Sequence, residues 1–191
     1  LRRIKQLGPA YLTFHGAESS RFTHSLGVFH IARRALELLA ELEPEIVKFK
    51  GILYGAALLH DIGHGPLSHT SEGMFGVKHE NWSAKLIYEH PEIRTHLDNC
   101  NKEIAPQVEA LIKGKNIPCK LIKTLVSSQL DCDRLDYLMR DSYSSGTRYG
   151  QLDLERILSA LTLAPDGDLA INPKGILAVE HYLVVRNLMY R

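Results

Sequence analysis

Apolar residues recur at three- and four-residue spacing from Phe22 to Leu42, through Leu26, Phe29, Ala32, Leu36 and Leu39. That period predicts a long amphipathic helix with one face in a core. Pro44 marks the start of a second helix, running through Ile52, Leu53, Ala56 and Leu59 to His60, where Gly63 and Gly65 break it. A short helix is expected after Pro66, and another from about His79 to His90, ended by Pro91. Segments 102–113 and 118–130 read as amphipathic helices with Gly114 and Asn116 between them, and 131–145 as one more. The opening run from Leu1 to Leu7 is also helix-like. Residues 161–171 alternate around Asp166-Gly167 and give the one good hairpin signal, and a last helix is expected near Gly175. With no repeat, low-complexity tract or linker, the pattern predicts a single all-α domain over 1–191 carrying one small β-hairpin.

Composition narrows the function classes. The 191 residues suffice for one domain with a substantial core, and 45% hydrophobic with 24% charged is an ordinary globular balance. A net charge of +1 gives no general field for DNA or anionic membranes, so any phosphate chemistry must rest on local basic residues. No apolar run is long enough to span a bilayer. Cys100, Cys119 and Cys132 form no CxxC pair, which predicts a reduced, cytoplasmic protein without a disulfide framework. The chain opens at Leu1 without a methionine and stops in a helix-like run, so it is expected to be part of a longer protein.

Seven of the ten histidines lie between residues 15 and 79, most densely in Leu58-Leu59-His60-Asp61-Ile62-Gly63-His64-Gly65-Pro66-Leu67-Ser68-His69. Imidazole with carboxylate suits a borderline or hard divalent metal. Adjacent residues on a helix point about 100° apart, so a His-Asp pair can reach one ion only at a helix end, which Gly63 and Gly65 supply. Further ligands must come from distant helices. His24 sits among the core-facing residues of the first long helix, with Arg21 on the same face, where it could meet a phosphate. Asp133, Tyr137, Arg140 and Asp141 share one helix face, with Leu135, Leu138 and Met139 among them. Taken singly, these features also fit a capped helix end, a satisfied core histidine and a solvated charged face.

Together they are similar to one family. Arg-Phe-Thr-His-Ser-Leu-Gly at 21–27, the string at 58–69 and Asp-Arg-Leu-Asp-Tyr at 133–137 resemble the HD superfamily, and specifically its deoxynucleoside triphosphate triphosphohydrolase branch. Lys5-Gln6-Leu7-Gly8 and the segment from Tyr182 to Tyr190 are similar to that branch too.

The resemblance implies an HD-domain helical bundle and a metal-dependent hydrolase that splits dNTPs into deoxynucleoside and triphosphate, with water attacking the α-phosphate. It implies His24, His60, Asp61 and Asp133 as ligands of a divalent ion (Mg, Mn, Co, Fe, Ni or Zn), with Asp131 as a cap or outer partner. His64, His69 and His79 take active-site roles, and Glu72 matches the carboxylate that could orient His79. Arg21, Arg134 and Arg186 form the phosphate cradle. Tyr137 and Asp141 contact the sugar, and Gln6 and Leu7 line the sugar and base. A homo-oligomer and a nucleotide activator are the further partners implied; nucleic acid and membrane are not expected. Two other readings stay open: an HD hydrolase of a nucleoside monophosphate, cyclic dinucleotide or alarmone, and a regulatory nucleotide-binding protein with a vestigial site.

Overall fold

Ser20 caps the first helix, its hydroxyl accepting from Thr23 N at 3.2 Å, and α1 then runs over Arg21–Ala40. His24, Val28, Ile31, Ala35 and Leu39 are buried on one stripe, so His24 occupies a core position of the longest helix. In the computed structural model, which describes residues 1–67, 69–115, 117 and 119–189, α1 packs against both α2 (Lys50–Leu59) and α8 (Cys132–Ser145). Those two helices bring the candidate residues His60 and Asp133 to His24 of α1.

Between them lie α3 (His69–Phe75), α4 (His79–Glu89), α5 (Pro91–Cys100), α6 (Ile104–Ile112) and α7 (Lys120–Val126). After α8 come α9 (Leu154–Ser159), an antiparallel hairpin of β1 (Leu161–Leu163) and β2 (Leu169–Ile171), and α10 (Ile176–Met189). The core collects Leu36 and Leu39 of α1, Leu53 and Ala56 of α2, Ile87, Val108, Ile122, Leu138 and Ile157. The hairpin pairs Leu161 with Ile171 across the expected Asp-Gly turn, with Gly167 at φ +81°.

Two local devices place the site. α2 ends at Leu59, leaving His60 as its C-cap. Ser83 of α4 clamps this end: its hydroxyl donates to the His60 carbonyl at 2.5 Å and accepts from Gly63 N at 2.9 Å. A Cβ at Gly63 would collide with the His79 carbonyl and Ser83 N, so only glycine lets the end of α2 approach α4 so closely. Asp131 caps α8, accepting from Arg134 N and Ser128 N, each at 2.8 Å, which sets the start of the helix that carries Asp133.

Two sequence expectations are corrected, and two helices, α5 and α9, are added. The opening run is not helical: it is a series of turns tied to the start of α1, with Lys5 bridging Ser20, Gln6 N donating to Ser19 O and Arg21 N to Ile4 O. The second helix begins as a 3-10 turn at Pro44–Phe49 and becomes α-helical only at Lys50. Pro91 both ends α4 and opens α5, because proline at the first turn costs no hydrogen bond. α9 was not anticipated; it is a short helix capped by Asp153. Ser68, Asn116, Pro118 and Tyr190, which belonged to segments read from the sequence, lie outside the described residues.

Candidate metal centre and catalytic cavity

Three acceptor atoms converge where α1, α2 and α8 meet. His24 Nε2 lies 3.3 Å from His60 Nε2 and 3.0 Å from Asp133 Oδ1, and His60 Nε2 lies 3.7 Å from that same oxygen. The far nitrogen of each ring fixes its orientation. His24 Nδ1 is 2.7 Å from Asp136 Oδ2, and His60 Nδ1 is 3.0 Å from the Ala57 carbonyl. Those oxygens only accept, so in the neutral rings both Nδ1 atoms carry the proton and both Nε2 lone pairs face Asp133. Such a group repels itself unless a cation or protons stand between its members. Atoms bonded to one ion at ~2.1 Å lie ~3 Å or a little more apart. The donor types and spacings of His24, His60 and Asp133 therefore fit a divalent metal.

Asp61 stands one step back. Its Oδ1 is 3.5 Å from His60 Nε2 and its Oδ2 is 3.7 Å from His24 Nε2. Arg21 Nη1 donates to Oδ2 at 2.5 Å, and His64 Nε2 lies 3.3 Å from Oδ1. A second group, His64, His69, Glu72 and His79, adjoins the first. Glu72 Oε1 accepts from both His79 N, at 3.1 Å, and His79 Nδ1, while Glu72 Oε2 is 3.4 Å from His69 Nδ1. The His64 and His79 rings stack with centroids 3.7 Å apart.

Charge is distributed accordingly. Burial opposes a charge on His24, yet hydrogen bonds to Asp133 and Asp136 outweigh it and lift its pKa to about 10. Burial likewise works against ionised Asp133, but hydrogen bonds from His24 and His60 hold it well below the usual carboxylate range. Burial works against ionised Glu72, but hydrogen bonds from His79 and His69 together outweigh it and draw its pKa down to about 2. Burial pushes His64 down, favouring the neutral ring. Asp141 goes the other way, up to about 7, because burial dominates its surroundings.

One cavity of about 260 Å³ is lined by Gln6, Leu7, Arg21, Asp61, His64, His69, His79, Asp133, Tyr137 and Asp141. The structure thus gathers residues from the N-terminal segment, α1, the α2–α4 region and α8 around one space. Among its lining residues, Gln6 Oε1, His64 Nδ1 and Asp141 Oδ1 are buried polar atoms with no hydrogen-bond partner among the described residues. His24 and His60 lie beneath it, and Glu72 lines an adjoining cavity of about 340 Å³ with His64, His79 and Trp82.

Two of the three arginines expected at the phosphates do not line this space. Arg134 turns back to the loop before α8, donating to Ser128 O at 2.9 Å and to Tyr137 Oη at 3.5 Å. Arg186 donates to Gln129 Oε1 at 2.5 Å on the surface. Arg140 shares the sequence face of Asp133 but bonds Asp136 instead. Sequence reasoning missed Asp136 and Ser83, which orient His24 and the end of α2. Asp136 stood within the string at 133–137, so its signal was present without a partner to point to.

The HD domain model matches residues 21–159, a span that holds the metal-centre donors and the second histidine group. The chain belongs to the HD domain family. It is 44% identical over 191 residues to the uncharacterized protein YwfO of Bacillus subtilis, covering 100% of this chain and 44% of that protein. It is 34% identical over 177 residues to the deoxynucleoside triphosphate triphosphohydrolase SAMHD1 homolog of Dictyostelium discoideum, covering 83% of this chain and 33% of that protein. A crystal structure of a phosphohydrolase from Bacteroides thetaiotaomicron superposes with a TM-score of 0.86 at 38% identity, over 100% of this chain and 46% of that one. The chain thus spans less than half the length of these relatives. Among the described residues no helix is long and apolar enough to cross a membrane.

Proposed function

We propose that this HD domain is a metal-dependent phosphohydrolase that converts a dNTP and water into deoxynucleoside and triphosphate. The observation that carries the reading is the cavity over the metal centre, with the unpartnered Gln6 Oε1, His64 Nδ1 and Asp141 Oδ1. A buried polar atom left without a partner costs about 1–3 kcal/mol, so these atoms favour a ligand that supplies complementary groups. Asp141 can meet a sugar hydroxyl, and Gln6 another polar edge. Leu7 gives the same cavity an apolar wall that leaves a 2′-hydroxyl unpaired, disfavouring ribonucleotides.

His24, His60, Asp133 and Asp61 would hold a divalent cation, which would supply a lowered pKa for bound water and a screen for phosphate charge. Arg21 is the guanidinium that lines the cavity and faces the phosphates. Attack of water on the α-phosphorus breaks its bond to the 5′-oxygen, which leaves with the deoxynucleoside and takes a proton. His69, His79 and His64 border the cavity where that proton is handed over, and Glu72 fixes His79 through its Nδ1. Arg134 stands behind Tyr137 and supports the sugar contact. The similarity to the SAMHD1 homolog supports this substrate class.

Turnover of dGTP, a nucleoside monophosphate and a cyclic dinucleotide by the full-length protein, with Mn²⁺ and with a chelator, tests the reading. Metal-dependent loss of dGTP alone is expected. Turnover of either other nucleotide in its place identifies a different HD hydrolase, and tight binding of dGTP without turnover identifies a regulatory site.

A further inference from the structure

His24 is held on the side away from the cavity by a chain of groups. Its Nδ1 lies 2.7 Å from Asp136 Oδ2, and Asp136 is gripped in turn by Arg140, with Nε to Oδ2 at 2.7 Å and Nη2 to Oδ1 at 2.8 Å. Asp136 is 5% exposed and His24 1%, so this carboxylate has exchanged water for one imidazole and one guanidinium. Backbone space is reserved for it as well. A Cβ at Gly27, one turn beyond His24 on α1, would run into Asp136 Oδ1 and Arg140 Nη2. Three residues from two helices thus define one orientation for one ring.

We propose that Asp136 is a positioning residue for the metal centre, with Arg140 and Gly27 completing the device; this rests on the metal-centre reading above. An imidazole that donates Nδ1–H to a carboxylate presents its Nε2 lone pair in a fixed direction and is a stronger base at that nitrogen. The bidentate Arg140 clamp stops Asp136 from rotating toward the ion and becoming a ligand itself. It also balances the Asp136 charge, so the buried donor group keeps the charge set by Asp61 and Asp133. Asp136 and Asp133 lie on the same helix with opposite duties: Asp133 faces His24 Nε2 and Asp136 faces His24 Nδ1.

Co²⁺ binding to the full-length protein, measured by chelator competition, tests this together with proton spectra of the Co²⁺-loaded protein. Asp136→Ala is expected to weaken Co²⁺ by about 10–100-fold, as losses of such outer partners do. It should also abolish the paramagnetically shifted, exchangeable Nδ1–H resonance of His24. Asp136→Asn keeps an oxygen for that proton, so it should retain the resonance with a smaller loss of affinity. An Asp136→Ala protein that binds Co²⁺ as wild type does, with the resonance intact, overturns the proposal. Should that variant fail to fold, Arg140→Ala serves, since the Arg140 side chain is 25% exposed; weakened Co²⁺ supports the proposal and unchanged affinity overturns it. His24→Ala separates the levels. If it binds Co²⁺ like wild type, the metal-centre reading fails and this inference with it; if it loses Co²⁺ while Asp136→Ala does not, the inference alone fails.

Discussion

Arg21 Nη1 and Asp61 Oδ2 are 2.5 Å apart, and neither side chain is more than 6% exposed. The residue best placed to meet a phosphate is thus paired with the residue expected to ligate the metal. Their pairing explains why Asp61 sits farther from His24 Nε2 than Asp133 does, 3.7 Å against 3.0 Å. A cation beside Asp61 and a triphosphate beside Arg21 would relieve each partner of the other, so metal and substrate should favour one another's binding.

Arg21→Ala should therefore be costly chiefly without metal. Removing one member of a buried pair costs at most about 3–5 kcal/mol, and here His60 and His64, which also face Asp61, reduce the loss. A bound cation would take over the neutralisation of Asp61 and shrink that loss. Urea unfolding of the variant with and without Mn²⁺ checks this; an equal loss in both conditions contradicts it.

His69→Ala should lower kcat by about 100-fold or more, within the range of proton-transfer catalysis, with little change in KM and none in metal content. Steady-state kinetics on dGTP decides. A variant with full kcat makes His69 structural and moves the proton path to His64 or His79.

Asp141→Asn should stabilise the protein at neutral pH and above. Burial raises the folded-state pKa of Asp141 to about 7, from 3.8. Between those values the folded chain holds a proton that the unfolded chain has released, so wild-type stability falls as pH rises from about 4 to about 7. Asparagine removes that dependence. The variant's advantage should be near zero at pH 3 and roughly 2–4 kcal/mol at pH 8, while KM for dNTP rises. Unfolding curves at the two pH values check it; a difference independent of pH contradicts it.

Asp133→Ala should lose the metal and nearly all activity with its helical content retained. Asp133 is the one member of the compact donor group contributed by α8. Elemental analysis showing undiminished metal after purification would remove it from the ligand set.

Legibility in the sequence followed the range of the interactions. His60 and Asp61 could be placed because an apolar helix and two glycines mark their position locally, and His24 because it lies on the buried stripe of α1. The hairpin was visible in its Asp-Gly turn. The opening segment was misread because what holds it, the bonds from Gln6 to Ser19 and from Arg21 to Ile4, depends on the residues around the start of α1, which helix periodicity does not reveal. Arg134 and Arg186 were assigned to the phosphates from the resemblance and from guanidinium chemistry, and neither shows their bonds to Ser128 and Gln129, which come from the loop before α8. Asp136 was passed over for the same reason: its role comes from the packing of α8 on α1, and Gly27 alone gives no hint of what fills its space.

Hydrolysis at the α-phosphorus over a metal centre leaves a distinct isotopic signature, which product analysis of dGTP in ¹⁸O-labelled water with Mn²⁺ reads out. The expected products are unlabelled deoxyguanosine and triphosphate carrying the label on a terminal phosphorus, with no products when the metal is chelated. Monophosphate with pyrophosphate, label in the deoxynucleoside, or the same turnover with the metal chelated would contradict it.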